Sequence, residues 1–235
     1  MLTPLGITYR RALLDTQLKK LVAAPLGGRV LDVGGRRQVR GRFRPPAEIV
    51  WIRVNTDPRA KPDIVADAQA LPIRSGTEEC VVCLETLEYV ESPEVAVAEM
   101  SRVLRPGGRV LVSVPLLHRV DSAIDRHRFT ETRLRELLEG AGLGVVEITP
   151  QGLFFTTLAN MLREATAAIA SRPLRWAVAI CTVPLGAALL RLDRLPAVRR
   201  SVFLSSFTTG FLGVAIKPGD GGPLRARPAT ARAHR

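Results

Sequence analysis

Seven short apolar runs, at residues 29–33, 49–54, 63–66, 80–84, 109–114, 143–148 and 210–216, recur along the chain. Most are separated by turn signals or by segments of helical period. Runs this short, with little polar alternation, predict strands that are covered on both faces. Helical period appears at 9–23, with leucines at 13, 14, 18 and 21, and again at 93–104 and 130–141. Pro93 follows Ser92 at one helix start, and Thr130 stands in the cap position of the other. Strands alternating with helices call for an α/β fold: a seven-stranded, mostly parallel sheet with helices on both faces, of the Rossmann-like kind.

The 235 residues suffice for one such domain and an appendage. Residues 1–150 are expected to form the ligand-binding core with an N-terminal helix, and 210–217 its last strand. Between them, 151–209 is an apolar helical insert. Residues 218–235, rich in Gly, Pro, Ala and Arg, have little to bury and are expected to be a disordered basic tail.

Within the insert, the run 176–190 is uncharged and is bounded by Arg172 and Arg175 on one side and Arg191 and Arg194 on the other. It is shorter than the ~20 apolar residues that span a bilayer, and it contains Pro184 and Gly186. Three readings stand: a helical lid on the core, a membrane-facing segment with arginines at the headgroups and Trp176 at the interface, or a transmembrane helix. An apolar insert suits a lipid-linked or amphiphilic partner.

The formal charge is +12, but the basic residues are thirty arginines and four lysines spread along the chain, and aromatics are only 5%. A nucleic-acid surface would gather its charge in a stripe and supply stacking rings, so nucleic acid is disfavoured and an anionic membrane surface is kept. Cys80 and Cys83 lie within one predicted strand, where residues three apart face opposite sides, so they read as core thiols and no metal site is expected. The first residues lack a long apolar stretch after a basic start, which predicts a cytoplasmic protein, associated at most with the inner face of the membrane.

Parallel sheets bind ligands beyond the carboxyl ends of their strands, and the polar residues fall there. Asp32, Gly34 and Gly35 follow the first strand, where glycine would let backbone approach a ligand. Asn55 and Asp57 follow the second and could hold a ribose. Asp67 and Ala68 follow the third and offer a carboxylate and an apolar wall for a base, while Leu84 and Glu85 end the fourth.

These strings, in order, resemble the type 11 group of class I S-adenosylmethionine-dependent methyltransferases. The resemblance runs from about Gly28 to Ile148 on Val30-Leu-Asp-Val-Gly34, the 63–72 segment, Leu87-Glu-Tyr-Val90 and Arg102-Val-Leu-Arg-Pro-Gly-Gly108. It implies that Asp32 and Gly34 line the methionine end of S-adenosylmethionine, Asn55 holds the ribose, Asp67 and Ala68 bracket the adenine, and Leu84 and Glu85 border the methyl. Two departures stand out. Arg36 replaces a further glycine of the loop, and Asn55 replaces the acid that usually grips the ribose diol.

Methyl transfer from a sulfonium needs alignment more than acid–base chemistry, which accounts for a sequence without a catalytic triad. For a hydroxyl acceptor a base would help, and the candidates are His118, His127 and Asp125. The expected activity is methylation of a small-molecule or lipid-linked acceptor, in cell-envelope glycan or secondary metabolism. The alternative is a catalytically silent cofactor-binding module. A nicotinamide enzyme is disfavoured because no Gly-x-Gly-x-x-Gly follows the first strand.

Overall fold

The computed structural model describes residues 6–22, 28–37, 41 and 43–219; residues 220–235 of the expected tail lie outside the described residues. In chain order the elements are α1 (Tyr9–Val22), β1 (Arg29–Val33), β2 (Val50–Asn55), β3 (Ile64–Val65), β4 (Glu78–Leu84), α2 (Pro93–Val103), β5 (Leu104–Pro115), α3 (Glu131–Gly140) and β6 (Gly144–Pro150). There follow α4 (Phe154–Ala168), α5 (Arg172–Leu192), α6 (Pro196–Arg200), α7 (Val202–Ser205) and β7 (Gly210–Ile216). All seven strands join one sheet in the order β3-β2-β1-β4-β5-β7-β6. β7 runs antiparallel to both β5 and β6, and the other four pairings are parallel. The expected sheet, with its apolar helices ahead of the last strand, is the observed one.

Alternation along each strand divides the core in two. Leu31, Val81 and Val110 pack with Val97 and Met100 of α2 and with Leu134 and Leu138 of α3. On the opposite face Val30, Val82 and Leu111 meet Leu14 and Leu18 of α1 and Phe43. Each fully buried Leu or Val contributes about 1.5–3 kcal/mol, so the sheet is held from both sides. Cys80 belongs to the second cluster and Cys83 to the first, as their spacing predicts. Burial pushes both thiols up, Cys80 to about 12, which makes them inert hydrophobes.

Local signals explain the boundaries. The Thr130 side chain accepts from Arg133 N and caps α3. Lys217 Nζ donates to Ser101 O and Leu104 O, two carbonyls at the end of α2, both at 2.8 Å. Among the described residues no helix follows β1, and Gly34-Gly35 leads into a loop.

Candidate active site

Strand order reverses between β1 and β4: from β1 the chain moves outward to β2 and β3, then returns to β4 on the other side. Loops leave in opposite directions at such a switch point, and here a cleft of about 980 Å³ opens. All nine residues expected at the cofactor, Asp32, Gly34, Gly35, Asn55, Asp57, Asp67, Ala68, Leu84 and Glu85, line it. The start of α1 and, from α4, Arg163 and Glu164 complete the wall.

Several of these residues act differently from the sequence expectation. Gly34 has φ +83, and a Cβ on it would run into Thr86 of the β4 loop; one on Gly35 would meet the Asp32 carboxylate. The glycines are therefore required by the packing of one strand end against another, before any ligand enters. Asn55 is also committed to this turn. Its Nδ2 donates to Gly34 O at 2.9 Å and Gly35 O at 3.1 Å, while its Oδ1 accepts from Asp57 N at 2.9 Å. As a loop clasp it is poorly disposed to hold a diol. Asp57, whose Oδ1 accepts from Arg59 N, is the neighbouring carboxylate left to do so. Asp67 is exposed and tied to Gln69, with Ala68 buried beside it. The loop that carries them is clasped by the Arg102 motif: Glu99 accepts from Leu71 N, and Arg102 donates to Leu71 O and Ile73 O.

Asp32 accepts from Trp51 Nε1 at 2.8 Å, and burial pushes its carboxyl up to about 6 despite that bond. Glu85 adopts φ +55, a conformation that costs a non-glycine residue energy. It is held there by Ser113 Oγ and by an ion pair with Arg10 of α1. Arg36 is exposed on the cleft wall and does not plug it.

Of the expected bases, only His118 reaches the cleft. Burial, then the Arg10 charge, lowers its pKa, so it is a neutral acceptor at pH 7. His127 and Asp125 are corrections, for neither lines the cleft. His127 Nε2 is bonded to Val90 O at 3.0 Å, and Asp125 is buried in an ion pair with Arg128.

Sequence reasoning missed two groups. Glu88 is 2% exposed, lines the cleft, and its Oε2 has no hydrogen-bond partner among the described residues. Burial pushes its carboxyl up to about 7. Arg10 is likewise buried, with Nη1 unpartnered among the described residues, and desolvation lowers it to about 10. Unsatisfied buried polar atoms on a cavity wall mark where a ligand supplies the missing partner. A charged residue beside Leu87 in the family-like string was the available signal for Glu88.

A seven-stranded sheet with an antiparallel β7 and a broad cleft at the β1/β4 switch point is the fold of the class I S-adenosylmethionine-dependent methyltransferases. A family model described as "Methyltransferase domain" matches residues 46–112, in agreement with the type 11 resemblance. The ubiquinone/menaquinone biosynthesis C-methyltransferase UbiE of Klebsiella pneumoniae subsp. pneumoniae is 38% identical over 69 residues, which are 28% of each chain. The UbiE of Teredinibacter turnerae is 40% identical over 67 residues, 27% of each. The matches thus span little over a quarter of these relatives.

Among solved structures, the [4+2]-cyclase SpnF superposes with a TM-score of 0.56 at 18% identity, over 88% of this chain and 81% of its own. A geranyl diphosphate methyltransferase in complex with S-adenosylmethionine gives 0.54 at 16% identity, over 86% and 85%. A chain from the complex of the Haloferax volcanii Trm112 methyltransferase activator gives 0.54 at 20%, over 88% and 91%.

The cleft's own residues fit S-adenosylmethionine. The side-chain-free turn at Gly34 and Arg10, whose Nη1 has no hydrogen-bond partner among the described residues, line the same cleft, and the guanidinium suits a carboxylate. Asp57 suits ribose hydroxyls, and Asp67 with Ala68 suits an adenine.

Proposed function

We propose that this chain is an S-adenosylmethionine-dependent methyltransferase whose acceptor is a small amphiphilic or lipid-linked molecule, such as an intermediate of cell-envelope glycan assembly or a secondary metabolite, and that it works in the cytoplasm. The observation that carries the reading is the convergence of Gly34, Asp57, Asp67 and Ala68 on one cleft at the strand-order reversal. Bound there, the cofactor supplies an electrophilic methyl attached to a good thioether leaving group. The chain's own residues do the rest. Arg10 holds the carboxylate end, and the clasped Gly34-Gly35 turn fixes depth. Two bases stand on the wall, Glu88 and His118, and one of them takes the single proton that the acceptor loses as its oxygen or nitrogen is methylated. The acceptor enters past α4, whose Arg163 and Glu164 border the cleft.

The fold by itself does not dictate this reaction, since a cyclase shares it. A cofactor-binding module without turnover is the second reading, and the engagement of the Asn55 amide with the loop favours it. Calorimetry with S-adenosylmethionine and S-adenosylhomocysteine, followed by transfer of a labelled methyl to extracted lipids and small molecules, separates the two. Binding without label transfer supports the module, and no binding ends both.

A further inference from the structure

The α4–α5 hairpin is built with its apolar side outward. From Trp176 to Leu190 helix α5 carries no charge, and its solvent face presents Ala177, Ile180, Cys181, Pro184, Leu185 and Ala188. Ile180 is 72% exposed and Trp176 49%. The polar atoms point the other way: Thr182 Oγ1 meets Thr166 Oγ1 of α4 at 3.2 Å. In α4 the buried side chains include Thr156, Thr157, Asn160 and Thr166, while Met161 is exposed. A helix pair facing water has the reverse arrangement. The patch continues onto α7, where Phe203 is 64% exposed.

Charge selects the occupant. Between Ser171 and Ser206 there are six arginines and one acid, and that acid, Asp193, is buried, accepting from the N–H groups of Leu153, Phe155 and Thr156. The exposed rim formed by Arg172, Arg191, Arg194, Arg199 and Arg200 is therefore uncompensated by local acids. A second copy on this face would set two arginine rims against each other. An anionic bilayer accepts both the aliphatic face and the rim. Helix α5 is long and apolar enough to cross a membrane by length and composition. Crossing would tear it from the body, because Gly186 sits against Tyr9 and the Tyr9 hydroxyl donates to Val183 O.

We infer that the outer face of the α4–α5 hairpin and α7 is a docking surface for anionic phospholipid bilayers, on which α5 rests in the interface plane. Because α4 also walls the cleft, docking places the acceptor entrance at the lipid surface; this second part rests on the methyl-transfer reading, and the docking does not. The test is flotation of the full chain with vesicles of phosphatidylcholine alone and of phosphatidylcholine mixed with phosphatidylglycerol. Binding is expected to the mixed vesicles and to fall with salt. It should drop at least ten-fold in the Ile180→Asp/Phe203→Asp variant and about five-fold for each of Arg191→Gln and Arg194→Gln. Brominated lipid should quench the tryptophan fluorescence of the bound protein, and that quenching should be largely lost in a Trp176→Phe variant. Folding of each variant is checked by its thermal transition and by its S-adenosylmethionine affinity without vesicles, which also reports separately on the cofactor reading. The inference is overturned by no binding to the mixed vesicles, by equal binding of a folded Ile180→Asp/Phe203→Asp variant, or by a dimer in solution that this variant dissociates.

Discussion

The amide nitrogen of Asn55 lies 2.9 Å from the carbonyl oxygen of Gly34, so the end of β2 holds the turn that leaves β1. With the second bond to Gly35 O and the acceptance from Asp57 N, the whole amide is used, and its orientation is dictated by two acceptors and one donor. Restoring the family-like acid here should harm the protein. Asn55→Asp sets a carboxylate against two carbonyl oxygens, and we expect a loss of about 2–3 kcal/mol of stability and at least ten-fold weaker S-adenosylmethionine binding. Denaturant unfolding and calorimetry measure both. A variant that binds the cofactor more tightly would refute the clasp.

Asp32 gives a pH signature. Its folded pKa of about 6 is raised from 3.8, so the folded state keeps a proton that the unfolded chain releases. Stability contributed by this group is therefore lost as pH rises from about 4 to about 6, and stays lost above. Asp32→Asn keeps an acceptor for Trp51 Nε1 and removes the ionisation. It should stabilise the protein at pH 8 by up to about 3 kcal/mol and leave it nearly unchanged at pH 4. Melting curves across that window decide; an equal shift at both ends would contradict the assignment.

Glu88 carries the same sign in a higher window, because burial raises its folded pKa to about 7 from 4.5. Glu88→Gln should raise the melting temperature at pH 8 more than at pH 5. If Glu88 takes the acceptor's proton, the variant should also lose about 100-fold in methyl transfer with cofactor affinity unchanged, and the rise of rate through neutral pH should vanish. Wild-type rate and pH profile in the variant would remove Glu88 from the chemistry.

The two histidines should separate cleanly. His118 faces the cleft, whereas His127 Nε2 is spent on Val90 O. His118→Asn is expected to lower transfer while cofactor affinity holds. His127→Asn should cost about 1 kcal/mol of stability and leave the rate alone. Steady-state kinetics beside thermal unfolding reads both, and the opposite pattern would restore His127 as the base.

Strand and helix positions were legible because they are local. The strand β1 and the helices α2 and α3 fall within a residue or so of where apolar period, Pro93 and Thr130 place them. Strand β5 starts at Leu104, five residues early, because pairing with Glu78 of β4 extends it through a turn-like string. The cofactor residues were legible as positions, since each lies at or just beyond the carboxyl end of a strand. Their roles were not. Nothing in Asn55 itself announces that Gly34 and Gly35 will offer it two carbonyls from twenty residues away in sequence.

By itself the sequence determined the period of its elements, the seven-stranded α/β architecture and the set of polar residues delivered to one edge of the sheet, because hydrophobic spacing and turn chemistry act over a few residues. Only the tertiary structure decided which of those residues face a ligand. Burial of Glu88, the arrival of Arg10 from α1 and the diversion of His127 to a carbonyl depend on which distant segments pack together. Desolvation and hydrogen-bond partners, the quantities that make a side chain reactive, are set by that packing.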